Sequence, residues 1–423
     1  MLSEAKHLDR SGVRPFASLR VATAHARKIC GMMRAMSHRA PLAFIFITVF
    51  IDLMGYGMVI PLLPLLAQRQ DAGATAAGAL GSLYALMQLI AGPILGALSD
   101  RFGRRPILLI CLLGTAIAYA SLGFADSLAL IFFAIAIDGI TGGNLSTAYA
   151  YIADVTSPEK RARGMGLVGA AFGLGLMAGP AIGGVLSAYG LNVPAFFACA
   201  LTLSNVAFGF FVLPESLPPE KRARVQTWRA LNWIAQLGAV FRIASIRLLL
   251  LATFTLNLAF AGLQTNFPLF SQARFNWDAT RIGIFFAFVG VCAVIVQGVL
   301  YGWMQSRVGE RKLALGGLAL MTLALAAVAI ARDDWLMYPV VALGAVGSGM
   351  SIPSITGLIS QRASSSEQGR LMGGTQVVLN LALIFGPLIA GLAFERIDVA
   401  APYWIGSAFA LIAWLFAFLG LRR

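Results

Sequence analysis

Long apolar runs separated by short polar segments organise the chain from residue 42 to its end. A helix that crosses a membrane needs about 20 mostly apolar residues, and twelve runs reach or approach that length. They cover residues 42–66, 76–98, 106–124, 128–153, 164–188, 193–213, 247–270, 280–302, 313–331, 336–360, 370–393 and 401–421. No soluble core could bury twelve such runs, so the pattern predicts an all-α membrane protein with twelve transmembrane helices, called spans 1 to 12 below.

Composition and charge support this class. Hydrophobic residues make up 59% of the 423 residues and charged residues only 12%, roughly half the charged fraction of a soluble domain. With the N-terminus inside, 27 of the 32 lysines and arginines fall on the inner side of the predicted topology, as the positive-inside rule requires. We therefore expect a multi-pass protein of the cell (inner) membrane with both termini in the cytoplasm. The net charge of +14 reflects topology, and we expect no nucleic-acid partner.

The polar segments divide the chain into four parts. Residues 1–40 form a basic N-terminal extension, of which we expect residues 1–35 to be disordered or untranslated, because Met36 begins a more ordinary start. Residues 41–213 form a first six-helix bundle and residues 247–423 a second. Between them, residues 214–246 form a basic linker that we expect to be cytoplasmic.

An internal repeat relates the two halves at an offset near 206 residues. The segment Gly96-Ala-Leu-Ser-Asp-Arg-Phe-Gly-Arg-Arg105 recurs as Gly302-Trp-Met-Gln-Ser-Arg-Val-Gly-Glu-Arg311, with Gly, Arg, Gly and Arg at identical spacing. Gly179-Pro-Ala-Ile-Gly-Gly184 recurs as Gly386-Pro-Leu-Ile-Ala-Gly391. Such repeats are typical of transporters whose binding site lies between the halves near the membrane midplane. The repeat predicts two pseudo-symmetric six-helix bundles around a central cavity.

Several function classes lack their usual residues. The four cysteines form no CxxC pair, and all three histidines precede span 1, so we expect no metal site and no membrane-embedded histidine relay. The sequence contains no GxxxxGK[ST] nucleotide-binding loop and shows no nucleophile–base pair. We therefore expect neither a cofactor nor an enzyme.

Two acids lie well inside apolar runs: Asp52 in span 1 and Asp138 in span 4. A charge near the membrane midplane costs at least about 2.5–3.5 kcal/mol and marks a functional pathway, and desolvation favours the protonated acid. We interpret both as proton-coupling groups that also meet a cationic cargo. The alternative is a neutral acid that hydrogen-bonds to a neighbouring helix.

Polar side chains at helical spacing are the candidate cargo contacts. Tyr56 lies one turn from Asp52 on the same helix face, and Tyr84 and Gln88 are similarly paired in span 2. The full set of substrate candidates is Tyr56, Gln88, Asn144, Asn257, Gln264, Gln297, Gln376 and Asn380. Buried amides that join neighbouring helices would show the same pattern.

Two further segments suggest motion. In the loop after span 2 we expect a gate, formed by Gly96, Asp100, Arg101, Gly103, Arg104 and Arg105, with Asp154 as a partner across the inner face. The alternative is that the arginines only set the topology. In span 5, the residues Gly175, Gly179, Pro180, Gly183 and Gly184 predict tight packing against a facing helix, with or without rocking.

These residues also carry a family resemblance over residues 40–421. Gly96 to Arg105 resembles the loop 2–3 signature of the major facilitator superfamily, and Gly173 to Gly184 resembles the span-5 signature of its drug:proton antiporters. Asp52-Leu-Met-Gly55, Tyr84-Ala-Leu-Met-Gln88 and Gly139-Ile-Thr-Gly142 are similar to stretches of the tetracycline-resistance efflux proteins. In the resembled fold spans 1, 4, 7 and 10 line the cavity, which favours Asp52, Asp138, Asn144, Asn257 and Gln264 as ligand contacts.

The chain also departs from those relatives. Where the tetracycline proteins carry acids in spans 3 and 9 and a histidine in span 8, this chain has Ala118, Met321 and Ala293; the superfamily's span-4 arginine matches Ile135. The resemblance implies a monomeric, proton-coupled antiporter for multidrug efflux and antibiotic resistance. The departures make tetracycline itself doubtful as its cargo. The alternatives are a symporter or facilitator for uptake of a small metabolite, or a receptor on the same fold that does not transport.

Overall fold

A computed structural model of the chain describes residues 40–156, 161–222, 237–238, 241–362 and 368–422. Eleven helical segments among them are long and apolar enough to cross a membrane. The twelfth predicted span, span 5, is the continuous helix Arg161–Ser187, with its apolar part at Gly173–Ser187. The predicted all-α membrane fold is confirmed. The extension before residue 40 and linker residues 223–236 and 239–240 lie outside the described residues.

The first half contains spans 1 to 6, two of which are interrupted. Span 1 consists of helices Ala40–Val59 and Leu63–Gln68 joined by the 3-10 turn Ile60–Leu62, which contains Pro61. Span 4 consists of Leu128–Thr141 and Leu145–Val155 joined by the 3-10 turn Gly142–Asn144. The other helices are Ala74–Phe102, Arg104–Gly123, Arg161–Ser187 and Val193–Val212.

The second half repeats this arrangement in spans 7 to 12. Its helices are Arg247–Phe275, Ala279–Ile295 continued through the π-helical segment Val296–Leu300 to Tyr301–Val308, Glu310–Ile330, Met337–Gln361, Gln368–Arg396 and Ala401–Arg422. Most helices are longer than the predicted apolar runs. Span 2, for example, continues past residue 98 to Phe102, because polar residues can extend a helix beyond the hydrocarbon layer.

The halves meet along two pairs of helices, spans 2 and 11 and spans 5 and 8. We call the end that carries the loops at Gly103 and Gly309 the basic side, and the other end the opposite side. Arg69 and Asn192 belong to the opposite side, where Arg69 Nη1 donates to Asn192 Oδ1 at 3.2 Å.

Contacts between the halves concentrate on the opposite side. Ser82 Oγ donates to the Ile384 carbonyl at 2.5 Å, and a Cβ added to Gly78 would lie 2.9 Å from the carbonyl carbon of Pro387. Towards the basic side, no described atom lies within 4 Å of a Cβ added to Gly92 or Gly302. Among the described residues, the structure is therefore closed on the opposite side, with open space beside these two glycines towards the basic side.

Candidate transport site

A cavity of about 350 Å³ lies between the halves, among spans 1, 2, 3 and 4 of the first half and spans 7 and 11 of the second. Eight predicted residues share it: Asp52, Tyr56, Gln88, Asp138, Asn144, Gln264, Gln376 and Asn380. Asn257 and Gln297 are not among its lining residues. Asn257 Nδ2 donates to the Thr253 carbonyl of its own helix at 2.8 Å, and Gln297 is exposed within the π-helical segment of span 8.

The two acids face one cavity from neighbouring helices. Asn144 Nδ2 donates to Asp52 Oδ2 at 3.2 Å, which ties span 4 to span 1. Asp138 is 5% exposed and lines the same cavity as Asp52. No lysine, arginine or histidine is among the described residues that line this cavity. The described lining therefore offers the two carboxyl groups no compensating positive charge.

The interruption of span 4 places Asn144 beside Asp52. Gln88 Nε2 of span 2 donates to the Gly142 carbonyl at 3.2 Å, which occupies an acceptor that a regular helix would satisfy internally. A Cβ on Gly143 would lie 3.0 Å from Gly92 Cα, and one on Gly139 would lie 2.7 Å from the Tyr84 carbonyl. The glycines therefore let span 4 approach span 2 closely, and the 3-10 turn brings Asn144 into the cavity.

Aromatic and hydroxyl groups complete the first-half wall. The rings of Tyr56 and Tyr84 pack with centroids 5.2 Å apart. The cavity also includes side chains that the sequence reasoning had not singled out: Thr115, Tyr119, Tyr149 and Thr265. Thr115 and Tyr119 are one helical turn apart, so their spacing was the available signal. Tyrosines supply both an apolar surface and a hydroxyl group, which suits an amphiphilic molecule.

The predicted gating loop is a network centred on Arg104, which is 7% exposed. Its guanidinium contacts Asp100 at 2.6 Å, Asp154 at 3.1 Å and the Ser99 hydroxyl at 2.6 Å. Gly103 ends span 2 with φ of +107°, a conformation that favours glycine. At Gly96, by contrast, an added Cβ would lie 3.8 Å from the Ser146 hydroxyl, an ordinary contact, so this position has room for a side chain.

The other two arginines of the loop lie at its edge. Arg105 donates to the Phe210 carbonyl and lies over the Phe210 ring. Arg101 is exposed and lies 5.2 Å from the centroid of the Phe102 ring. Glu215 of the linker accepts from the Arg104 backbone N–H at 2.9 Å, a partner that the sequence reasoning did not identify.

The repeated loop of the second half has the opposite charge at its centre. Glu310 occupies the position that matches Arg104, and it accepts from Gln305 Nε2 at 2.7 Å and from Gln361 Nε2 at 2.9 Å. Gly309 keeps the positive φ of its counterpart, at +81°. The backbone of the repeat is therefore retained, whereas its charge network is confined to the first half among the described residues.

The span-5 glycines serve two different contacts. Added Cβ atoms on Gly175, Gly179 and Gly183 would lie 2.6 to 2.8 Å from atoms of Leu53, Met54 and Met58 in span 1, within the same half. A Cβ on Gly184 would lie 2.6 Å from Gly283 Cα in span 8, across the two halves. Pro180 lies within the helix and borders both surfaces. Its Cδ would lie 3.2 Å from a Cβ on Gly57 in span 1, and its carbonyl oxygen 2.6 Å from a Cβ on Gly283 in span 8.

Comparison with known proteins agrees with this architecture. The family model described as Major Facilitator Superfamily matches residues 45–301 and 275–423. The "Tetracycline resistance protein, class C" of Escherichia coli is 35% identical over 372 residues, which cover 87% of this chain and 92% of that protein. "Multidrug resistance protein 2" of Bacillus subtilis (strain 168) is 28% identical over 375 residues, covering 87% and 91% respectively.

A solved structure shows the same fold. The crystal structure of the human organic anion transporter MFSD10 (TETRAN) aligns with a TM-score of 0.70 and 27% sequence identity, over 90% of this chain and 99% of that chain. The fold, the repeated loop signature and the extent of these matches agree with one another. The chain therefore belongs to the Major Facilitator Superfamily and is a membrane transporter of that family.

Proposed function

We propose that this transporter is a proton-coupled antiporter that exports a small amphiphilic or drug-like compound by alternating access. The observation that carries the proposal is the pairing of Asp52 and Asp138 in one cavity, where no described lysine, arginine or histidine offsets their charge. Protons and cargo can then compete for the same carboxylates: cargo leaves when protons bind, and protons leave when cargo binds. Such competition produces exchange in opposite directions.

The proposal also assigns the sides of the membrane. The excess of lysines and arginines on the basic side supports a cytoplasmic location for that side and for both termini, in the cell (inner) membrane. The conformation described here then opens its cavity to the cytoplasm and is ready to take up cargo. Closure on the basic side and opening on the opposite side would release the cargo, and we propose that one monomer suffices for this cycle.

The lining of the cavity favours a class of cargo. Two carboxyl groups, four tyrosines and several amides suit a molecule with an aromatic body, hydrogen-bonding groups and a positive charge. An organic anion, the class of cargo for which the human relative is named, would meet the carboxylates unfavourably. Tetracycline is a weaker candidate than for the relatives that bear its name, because the positions of their additional acids are occupied by Ala118 and Met321.

Proteoliposomes with an imposed pH gradient test the proposal. We would use a panel of fluorescent lipophilic cations, together with tetracycline, and record both cargo and proton movement. The proposal expects gradient-driven movement by the wild type and its loss in Asp52→Asn and Asp138→Asn. Asp126→Asn, which removes an exposed carboxylate outside the cavity, serves as the control and should transport normally.

The outcomes separate the alternatives. Gradient-driven exchange that survives Asp52→Asn with an unchanged pH dependence would remove Asp52 from the mechanism. Equilibration of cargo without any effect of pH would indicate a facilitator, and inward movement of cargo together with protons would indicate a symporter.

A further inference from the structure

The helix of span 2 begins on the opposite side without a cap from its own side chains. Gly73 is the residue before its first turn, and a glycine has no side chain to accept from the free N–H groups that follow. A helix N-terminus carries a partial positive charge, and a carboxylate placed there stabilises it. In this structure the carboxylate comes from the other half of the protein.

Glu395, in the last turn of span 11, supplies this cap. Its Oε1 accepts from the Thr75 backbone N–H at 3.0 Å, and its Oε2 accepts from the Thr75 hydroxyl group. The two residues are 320 positions apart in the sequence. Both oxygens of one carboxylate therefore join the end of span 11 to the start of span 2, across the boundary between the halves.

Glycine at position 73 leaves the space that this contact needs. A Cβ added there would overlap Glu395 Oε1 and lie 2.8 Å from its carboxyl carbon, and all three nearest atoms belong to Glu395. Gly391, one turn earlier in span 11, packs on the start of span 2 in the same way, because its added Cβ would lie 3.0 Å from Thr75 Cα. The two helix ends are therefore in close contact at this point.

The structure, which is closed on the opposite side, contains this contact. Opening the cavity on that side must separate the start of span 2 from the end of span 11, which removes the carboxylate from Thr75. We infer that Glu395 is a latch that selects the conformation open to the basic side. The inference rests on the proposed alternating-access function, and it adds a residue outside the cavity that determines the balance of conformations.

Distances between spin labels on the two halves test the latch. After replacement of the native cysteines, spin labels would be attached at positions Tyr189 and Arg332, which are both exposed on the opposite side. The distribution of distances between the two labels would then be measured in lipid nanodiscs. Glu395→Ala should increase the ratio of open to closed conformations on this side by about two- to fivefold, the range for a carboxylate at an exposed helix N-terminus. Asp126→Asn, which removes another exposed carboxylate on this side, should leave the ratio unchanged.

Gly73→Ala is a second, independent perturbation. Its added methyl group should displace the Glu395 carboxylate and change the ratio in the same direction as Glu395→Ala. Because both variants break one contact, the double variant should differ little from Glu395→Ala alone. A normal elution profile in size-exclusion chromatography confirms that each variant is folded.

Two results would overturn the inference: an unchanged distribution in folded Glu395→Ala, or additive effects of the two substitutions. The measurement needs neither cargo nor a pH gradient. If wild-type proteoliposomes show no coupled transport while Glu395→Ala still alters the distribution, the proposed antiport fails and the latch stands. If wild-type proteoliposomes show coupled transport and Glu395→Ala leaves the distance distribution unchanged, the latch is rejected and the proposed antiport stands.

Discussion

Two adjacent glycines of span 5 allow one chemical change to be compared in two environments. A Cβ added to Gly183 would lie 2.7 Å from the Met58 carbonyl oxygen in span 1 of the same half. A Cβ added to Gly184 would lie 2.6 Å from Gly283 Cα and 3.1 Å from the Thr280 carbonyl oxygen, both in the other half. Gly183→Ala should therefore strain one half internally, whereas Gly184→Ala should strain the contact between the halves.

The geometry sets the size of the effect. Carbon atoms pack favourably at about 3.5–4.0 Å, so the new methyl group at position 184 requires spans 5 and 8 to move apart by about 1 Å. Overpacking of this kind costs about 1–3 kcal/mol. If the cost falls on one conformation only, the ratio of conformations changes by about 5- to 150-fold. The gain in helix propensity from glycine to alanine is the same at both positions and cancels in the comparison.

The assay combines the Tyr189–Arg332 label distance with thermal unfolding of each variant. Gly183→Ala should lower the melting temperature and leave the distance distribution near that of the wild type. Gly184→Ala should change the distribution towards opening on the opposite side and lower the melting temperature less, since opening relieves the strain. Equal changes of the distribution in both variants, or no change in Gly184→Ala, would refute this account of the contact between spans 5 and 8.

Three further predictions concern the loop, the cavity and the N-terminus. Arg104→Gln should lower the free energy of unfolding by about 1–3 kcal/mol, because it removes a buried guanidinium that pairs with two carboxylates, both of them partly exposed. The substitution of exposed Arg101 by Gln should change it by less than about 0.5 kcal/mol, and chemical denaturation measures both. Gln264→Ala should weaken cargo binding by about 1 kcal/mol, the worth of one hydrogen bond, whereas Asn257→Ala should leave the cargo Kd unchanged. A chain that starts at Met36 should transport at the full-length rate in proteoliposomes, and loss of activity would show that the extension contributes to function.

The parts of the fold that follow from apolar run length were predictable. All twelve spans come from hydrophobic pattern, and the two acids stand out because they interrupt that pattern at Asp52 and Asp138. That both acids face one cavity was not predictable in the same way, because it depends on how spans 1 and 4 pack. The run of span 4 was predictable, but its 3-10 turn at Gly142–Asn144 was not, since glycines are common in membrane helices that remain regular.

Long-range partners account for most of what the sequence reasoning missed. Tyr119 lies in an apolar run where a tyrosine usually packs against neighbours or lipid. Glu215 is one acid of a linker, and nothing local indicates that it accepts from the Arg104 backbone. Glu395 lies at a span end, where charged residues are ordinary, so only the three-dimensional contact with Thr75 distinguishes it.

Both acids of the cavity belong to the same half, and this asymmetry has an electrical consequence. When both are ionised the carrier holds two negative charges that move with the first half, and when both are neutralised by protons or cargo it holds none. A membrane potential acts with about 2.3 kcal/mol per elementary charge per 100 mV on a charge that crosses the whole field. The membrane potential should therefore act most strongly on the conformational change of the empty transporter with both acids ionised. The potential would then determine to which side of the membrane an unloaded cavity opens.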